Sequence, residues 1–395
     1  MNSDLATLKS NPTYRRTPVS RRPNLLDSGF RRKDDSRQVA AWPWLIAALI
    51  SIAVPGKSIA QEQPRFPCAY SDKDCAAKAQ QGHAVTKLHY WGRAMGKPVE
   101  QRIGVAPPAL VEFLRLDNIA NDVRDTPRAA RLTPGFLRDV QRALAEIPPE
   151  VKRLLATKLA GIYLVENLGS TGFGDVIYDK DANPAGGFVV LDASVLSRRV
   201  ANAWATWKET TPFAPRAGFR LAAEIETPRN NNRRNAIQYI LLHELAHVIS
   251  IGEKFHPSWS LEPRDVQSPE NFPFFLLSWA IDRAENRYVT LFDAAFPQRK
   301  DVVYYFGAKL AADQMTAAYD NLERTNFATL YSVVRPGDDF AEAFASYVHA
   351  VRMKKPFAIR IYDRGKLVKT YGSCWTEPRC AEKRKLIEGF LGASR

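Results

Sequence analysis

The chain has 395 residues, of which 45% are hydrophobic, 11% aromatic and 25% charged, and this composition excludes the intrinsically disordered and fibrous classes. The formal net charge is +14, and residues 1–60 contribute +6 of it. No nucleic-acid-binding module and no basic stripe with interleaved aromatics accompanies this charge, so we expect a solvated basic surface and no nucleic-acid partner.

The first 60 residues have the pattern of an export signal. An Arg-rich segment, 1–39, precedes an apolar run at 40–54. That run is nearer in length to a signal-peptide core than to the ~20 residues that span a bilayer. Small residues then stand at Ser58 and Ala60, which predicts cleavage after Ala60 and an exported protein, periplasmic or secreted. The alternative is an uncleaved N-terminal anchor that keeps the protein close to a membrane.

The four cysteines form two local pairs, Cys68 with Cys75 and Cys374 with Cys380. Closely spaced pairs in an exported chain predict two disulfides. A structural zinc on four thiolates is the rival interpretation, but both spacings are wider than the C-x₂₋₄-C spacing of such sites.

The elements that precede residue 200 predict a small mixed sheet. An N-terminal extension, 61–135, is followed by helical periodicity over 136–158 that Pro148-Pro149 interrupts. Short β-rich runs then stand at 161–165 and 187–191. The glycine-rich segment between them, 169–174, has neither the lysine of a phosphate-binding loop nor a following helix, so we interpret it as a plain turn.

Beyond Val200 the pattern is mostly helical. Apolar spacing typical of helices occurs over 236–250, 275–295, 299–325 and 338–353. Residues 357–371 alternate around a turn and predict a hairpin, and a short charged helix follows at 381–391. Strands followed by a block of helices predict an α+β fold, with a catalytic domain at 136–355 and a C-terminal hairpin and helix at 356–395.

The strongest chemical signal is His243-Glu244-Leu245-Ala246-His247, inside a helical pattern without a breaker. Residues four apart share a helix face, so His243 and His247 can present both imidazoles to one Zn²⁺. Glu244 is rotated by about 100° from His243, beside the metal, where it can accept a proton from an activated water.

A catalytic zinc normally takes three protein ligands, and several residues compete for the third place. In the metzincin pattern a glycine and a third histidine would stand where this chain has Ser250 and Glu253, so that pattern fails. His256 precedes a proline and is expected in a loop, and His349 is expected to be structural. Acidic residues further along give a better candidate region: Asp338 and Glu342, four apart on one helix face, with Asp339 ranked behind them.

This combination resembles the gluzincins. The local similarity is to the catalytic domain of anthrax lethal factor, in a tyrosine, then an acidic ligand, then Phe-Ala-Glu-Ala-Phe, and it covers 243–247 and roughly 331–344. The resemblance implies a zincin-like fold, with Asp338 as third ligand where the family usually has Glu. It also implies that Glu342 orients a bound histidine and that Tyr331 stabilises the transition state. Because Asp is one methylene shorter than Glu, the alternative stays open that Glu342 is the ligand while Asp338 or Asp339 caps the helix.

These residues predict a zinc-dependent hydrolase, most directly a peptidase acting on a peptide or protein substrate, with Glu244 as general base. An extended substrate is expected to pair with a strand such as 187–191. Two alternatives are a non-catalytic envelope-binding protein that keeps a zincin fold, and a zinc amidase acting on a non-peptide envelope substrate. No oligomeric state is predicted.

Overall fold

The computed structural model describes residues 66–259, 261–305 and 307–393, so the predicted leader and its cleavage site lie outside the described residues. The helices in these ranges are α1 (Lys73–Gly82), α2 (Leu88–Met95), α3 (Pro108–Ala120), α4 (Pro134–Ala145), α5 (Pro149–Leu155), α6 (Ala193–Leu196), α7 (Ala201–Thr210), α8 (Arg233–Ser250), α9 (Pro273–Leu276), α10 (Met315–Leu322), α11 (Pro336–Tyr347) and α12 (Ala381–Ala393). The strands are β1 (Ile103–Val105), β2 (Arg128–Ala129), β3 (Leu159–Glu166), β4 (Gly172–Tyr178), β5 (Pro184–Asp192), β6 (Phe213–Ala214), β7 (Phe219–Glu224), β8 (Trp279–Asp282), β9 (Arg287–Thr290), β10 (Leu310–Ala311), β11 (Ala358–Asp363) and β12 (Lys366–Gly372).

The main sheet has the strand order β1–β3–β5–β4, and β2 pairs with one end of β3. The strands β1, β3 and β5 are parallel, whereas β4 runs antiparallel to β5 at the edge. Parallel strands are normally covered on both faces, which explains why β3 and β5 are nearly continuous apolar runs. The fold is therefore α+β, as the sequence predicts.

Helices cover the two faces of this sheet, and the side chains of β5 alternate between the two cores. Phe188 and Val190 pack with side chains of α2 and α3 in one core cluster. Val189 and Leu191 belong to a second cluster on the other face, together with most of α8. Successive strand residues point to opposite faces, so one run of four apolar residues serves both cores.

The predicted N-terminal extension, 61–135, is part of this arrangement. It supplies β1 and β2, and α3 packs against the sheet. A boundary at residue 135 therefore does not separate two cores. At the other end, the predicted hairpin pairs through β11 with β7, a strand that the sequence analysis missed, and forms a second, three-stranded sheet.

Most predicted elements are confirmed, but two long helices are not. The segment 275–295 holds only the last two residues of the short α9, followed by the hairpin of β8 and β9. Its turn includes Asn286 in the left-handed region (φ 47°), which a continuous helix cannot contain. In 299–325 only α10 is α-helical, and Gly307, with φ 97°, lies in the irregular stretch before it. The expected plain turn at 169–174 is also corrected, because β4 begins at Gly172.

The helix α8 carries the histidine motif through the middle of the molecule. Asn232 caps its start, where the side-chain oxygen accepts a hydrogen bond of 3.1 Å from the Asn235 amide. Lys158, just before β3, holds its end by donating to the carbonyls of Ile249 (2.9 Å) and Ile251 (2.7 Å). Side chains thus cap both ends of α8, and Lys158 links its C-terminal end to the start of β3.

The helix α11 lies against α8 and is tied to the C-terminal helix. It starts at Pro336, a residue suited to the first helical position, and Arg335 at its N-cap makes no side-chain capping bond. The expected cap from Asp338 or Asp339 is therefore wrong, because both lie inside the first turn. Asp339 is fully buried and accepts hydrogen bonds of 2.6 and 2.7 Å from Lys383 of α12.

Both predicted disulfides, Cys68–Cys75 and Cys374–Cys380, are present. Such bonds are typical of proteins that fold in an oxidising compartment, as expected for export. Among the described residues, no helix combines the length and the apolarity needed to cross a membrane.

The buried pair of Lys383 and Asp339 gives a test of how α12 is attached. Lys383→Met leaves a buried carboxylate without its cation, so we expect the free energy of unfolding to fall by about 3–5 kcal/mol. Chemical denaturation measures this loss. Lys385→Met, on an exposed position of the same helix, is the control and should leave the midpoint unchanged. Equal stability of both variants would show that the pair does not hold α12 in place.

Candidate metal centre

The two motif histidines lie on one face of α8 with their ring nitrogens converging. The Nε2 atoms of His243 and His247 are 3.2 Å apart, and the ring planes are nearly perpendicular. His243 is buried and His247 is half-buried. The spacing of four residues thus places two imidazoles together, as predicted.

A carboxylate from α11 completes a group of three. Asp338 Oδ1 lies 3.6 Å from His247 Nε2, and one donor atom each from His243, His247 and Asp338 fall within 4.8 Å of one another. Across 66–259, 261–305 and 307–393, this is the one group of three His, Cys, Asp or Glu side chains with such convergence.

The donor types fit zinc, and two of the three distances between donor atoms are close to those of a zinc shell. A tetrahedral shell with bonds of about 2.0–2.2 Å places its ligand atoms roughly 3.4 Å apart. The contacts between His243 and His247 (3.2 Å) and between His247 and Asp338 (3.6 Å) lie on either side of this value. Two imidazoles and one carboxylate are also a ligand set of catalytic zinc sites, in which a fourth place is left for water.

Glu342 stands behind His243 instead of joining this group. Its Oε1 lies 2.9 Å from His243 Nδ1, the ring nitrogen that faces away from His247. A carboxylate in this place fixes the orientation and tautomer of a metal-binding imidazole. Asp338 and Glu342, which the sequence could not rank, therefore occupy different places: one beside both imidazoles, the other behind one of them.

Two further groups hold the Glu342 carboxylate. Lys208 Nζ donates to Oε1 at 2.5 Å, and the Thr329 hydroxyl donates to Oε2 at 2.7 Å. Burial alone would raise the pKa of Glu342, but Lys208 and His243 hold that pKa well below its usual range. Glu342 is therefore a carboxylate anion whose orientation is fixed from three sides.

Asp339, the third acidic candidate, points away from the histidines. Besides Lys383 it accepts a hydrogen bond of 3.0 Å from Trp279 Nε1. Burial raises the pKa of Asp339, although Lys383 opposes that shift. Its carboxylate is engaged in holding α12 and is not directed to the candidate metal centre.

Glu244 lies between the histidines and the sheet. It is 3% exposed and packs against β4 at Gly172. A cavity of about 20 Å³ borders Glu244 and His243, and it is lined further by Lys208 and Tyr305. This volume is enough for about one water molecule. The predicted base therefore borders a space that can hold one water molecule, and the cavity is too small to contain a peptide as well.

Tyr331 packs beside His243, with ring centroids 5.6 Å apart. Tyr304 meets the Tyr331 ring edge-on at 4.6 Å, and Lys208 Nζ lies 4.7 Å above that ring. The structure thus places the Tyr331 ring next to His243, and the part of Tyr331 in stabilising a transition state stays a prediction. The sequence analysis missed Lys208 and Tyr305, because neither residue belongs to a motif with a recognisable spacing.

His256, His349 and the metzincin positions serve other contacts. His256 lies in a loop, with Nε2 3.1 Å from Ser250 Oγ, and His349 Nε2 lies 2.9 Å from the Ile225 carbonyl. Burial lowers the pKa of each imidazole to about 4, so both are neutral near pH 7. Glu253 forms an ion pair with Lys158. None of these residues joins the group of three.

Comparison of the chain with protein-family models, with curated proteins and with solved structures finds no match.

Zinc affinity tests the different places of Asp338 and Glu342. Asp338→Ala removes one of three donors and should abolish stoichiometric zinc binding, whereas Glu342→Gln should weaken binding by roughly 10- to 100-fold. Competition with a fluorescent zinc chelator measures both effects on variants whose circular dichroism shows that they are folded. Asp265→Ala, an exposed aspartate, is the matched control. Wild-type affinity in Asp338→Ala would exclude this residue as a ligand.

Proposed function

We propose that the protein is a zinc-dependent hydrolase that cleaves peptide bonds. The observation that carries this proposal is the convergence of His243, His247 and Asp338 next to the buried carboxylate of Glu244. Zinc in this site would supply Lewis acidity, which makes water ionisable near neutral pH and polarises a carbonyl group.

The proposed reaction assigns the proton transfers to Glu244. Its carboxylate accepts a proton from the attacking water and then delivers that proton to the amine that leaves. The Tyr331 hydroxyl donates a hydrogen bond to the oxyanion that develops on the substrate carbonyl. Glu342 and Lys208 keep the His243 ring oriented throughout, and they take no part in proton transfer.

The sheet topology changes the expected place of the substrate. The run 187–191 lies in β5, which pairs with β3 on one side and β4 on the other, so its backbone has no free edge. The strand β4 is the edge, and beyond β5 its only backbone pairing among the described residues is a single bridge between Tyr178 and Lys87. We therefore assign an extended peptide to β4, where it would pass Glu244.

Replacement of the general base tests this function. Glu244→Ala should lower the rate of casein cleavage by at least about 10²-fold, because it removes the proposed proton acceptor, while zinc content stays at the wild-type level. Glu270→Ala changes an exposed glutamate and serves as the control. Cleavage by Glu244→Ala at the wild-type rate would contradict the mechanism. Zinc binding by a wild-type chain that cleaves no peptide would favour the non-catalytic or the amidase alternative.

Export with removal of the leader belongs to the same proposal, since the two disulfides require an oxidising compartment. We expect the mature chain to begin at Gln61. Mass spectrometry of the protein recovered from the periplasm or the medium checks this predicted N-terminus. A chain that keeps residues 1–60 and sediments with membranes would instead support the N-terminal anchor.

A further inference from the structure

The strand β4 meets Glu244 at a residue without a side chain. A Cβ atom built on Gly172 would lie 2.3 Å from Glu244 Oε1, 2.8 Å from Cδ and 3.0 Å from Cγ. These are the three nearest atoms to that Cβ, and all belong to the one side chain. The carboxylate of Glu244 thus occupies the volume that any other residue at 172 would fill.

The backbone conformation does not explain the glycine. Gly172 is not among the residues with positive φ, and it pairs with Leu191 in the regular antiparallel register of β4 and β5. A glycine inside a strand weakens that strand and commonly marks a close approach of another group. Here the approaching group is the carboxylate of Glu244.

We propose that Gly172 is a positioning residue that sets the location of the general base. This inference rests on the proposed function, because it concerns the reaction that Glu244 performs. The strand β4 would then have two tasks: its backbone edge aligns the peptide, and its missing side chain admits the carboxylate that serves that peptide. The base and the substrate are thus located by the same strand.

The effect of Gly172→Ala depends on which atoms the new methyl group would meet. Backbone atoms cannot retreat from a new methyl group, but the end of a glutamate side chain can. Gly172→Ala should therefore displace the Glu244 carboxylate and leave the fold and the zinc ligands in place. A misplacement of about 1 Å in a reacting group can lower a rate roughly 100-fold. We expect kcat for a quenched fluorescent peptide to fall by that factor, with KM and zinc content close to wild type.

Two comparison variants distinguish the effect of a methyl group at position 172 from the general effect of replacing a strand glycine by alanine. A Cβ on Gly104 of β1 meets no atom within 4 Å, so Gly104→Ala should keep full activity. A Cβ on Gly174 would lie 3.7 Å from Glu244 Oε2, which is ordinary contact, so Gly174→Ala should lose far less than Gly172→Ala.

Thermal unfolding tests the contact without any substrate. Replacing a strand glycine by alanine restricts the unfolded chain and stabilises the fold where there is room. Gly172→Ala should therefore raise the melting temperature in a Glu244→Ala background but not in the wild-type background. Equal shifts in both backgrounds would overturn the inference, as would loss of zinc or wild-type kcat in Gly172→Ala. If the wild-type chain cleaves no peptide, the proposed function fails, while the melting temperatures still decide whether Gly172 locates Glu244.

Discussion

The candidate site depends on one buried carboxylate. Glu342 has no contact with solvent, and a buried charge is costly unless it is paired and hydrogen-bonded. Lys208 of α7, His243 of α8 and Thr329 provide those partners. Two distant segments, α7 and α8, and the loop before α11 therefore meet at Glu342, and Asp338, one turn earlier on α11, lies beside His247. The contacts of Glu342 therefore hold α11 against α8, next to the three residues that we assign to zinc.

The two carboxylates in the first turn of α11 are adjacent in sequence, but one lies at the candidate metal centre and the other forms a buried ion pair. Asp338 is half-buried and faces the histidines, whereas Asp339 is fully buried and faces Lys383. Consecutive helical residues point about 100° apart, so a single turn can serve a reactive centre on one side and a core contact on the other. The two acidic residues in the first turn of α11 thus have different contacts and different roles.

The sequence predicted the parts of the site that depend on local spacing. The four-residue interval between His243 and His247 defines a shared helix face, and the structure places their nitrogens together. The ranking of Asp338 and Glu342 could not be predicted, because it depends on the distance between α8 and α11. Lys208 was missed because it belongs to no recognisable motif, and its contact with Glu342 depends on how α7 packs against α11. The β8–β9 hairpin was mistaken for a helix, since its apolar spacing fits both periods over a short stretch.

The attachment of α12 has a consequence for the time at which the site can form. Asp338 is adjacent to Asp339, and Asp339 is held by Lys383, far downstream of the histidines. A chain that crosses an export channel with its N-terminus first delivers His243 and His247 long before Lys383 emerges. The third donor is then not yet locked beside them. For the peptidase proposed above, this order of events would delay activity towards its own unfolded chain and towards the export machinery until translocation was nearly complete.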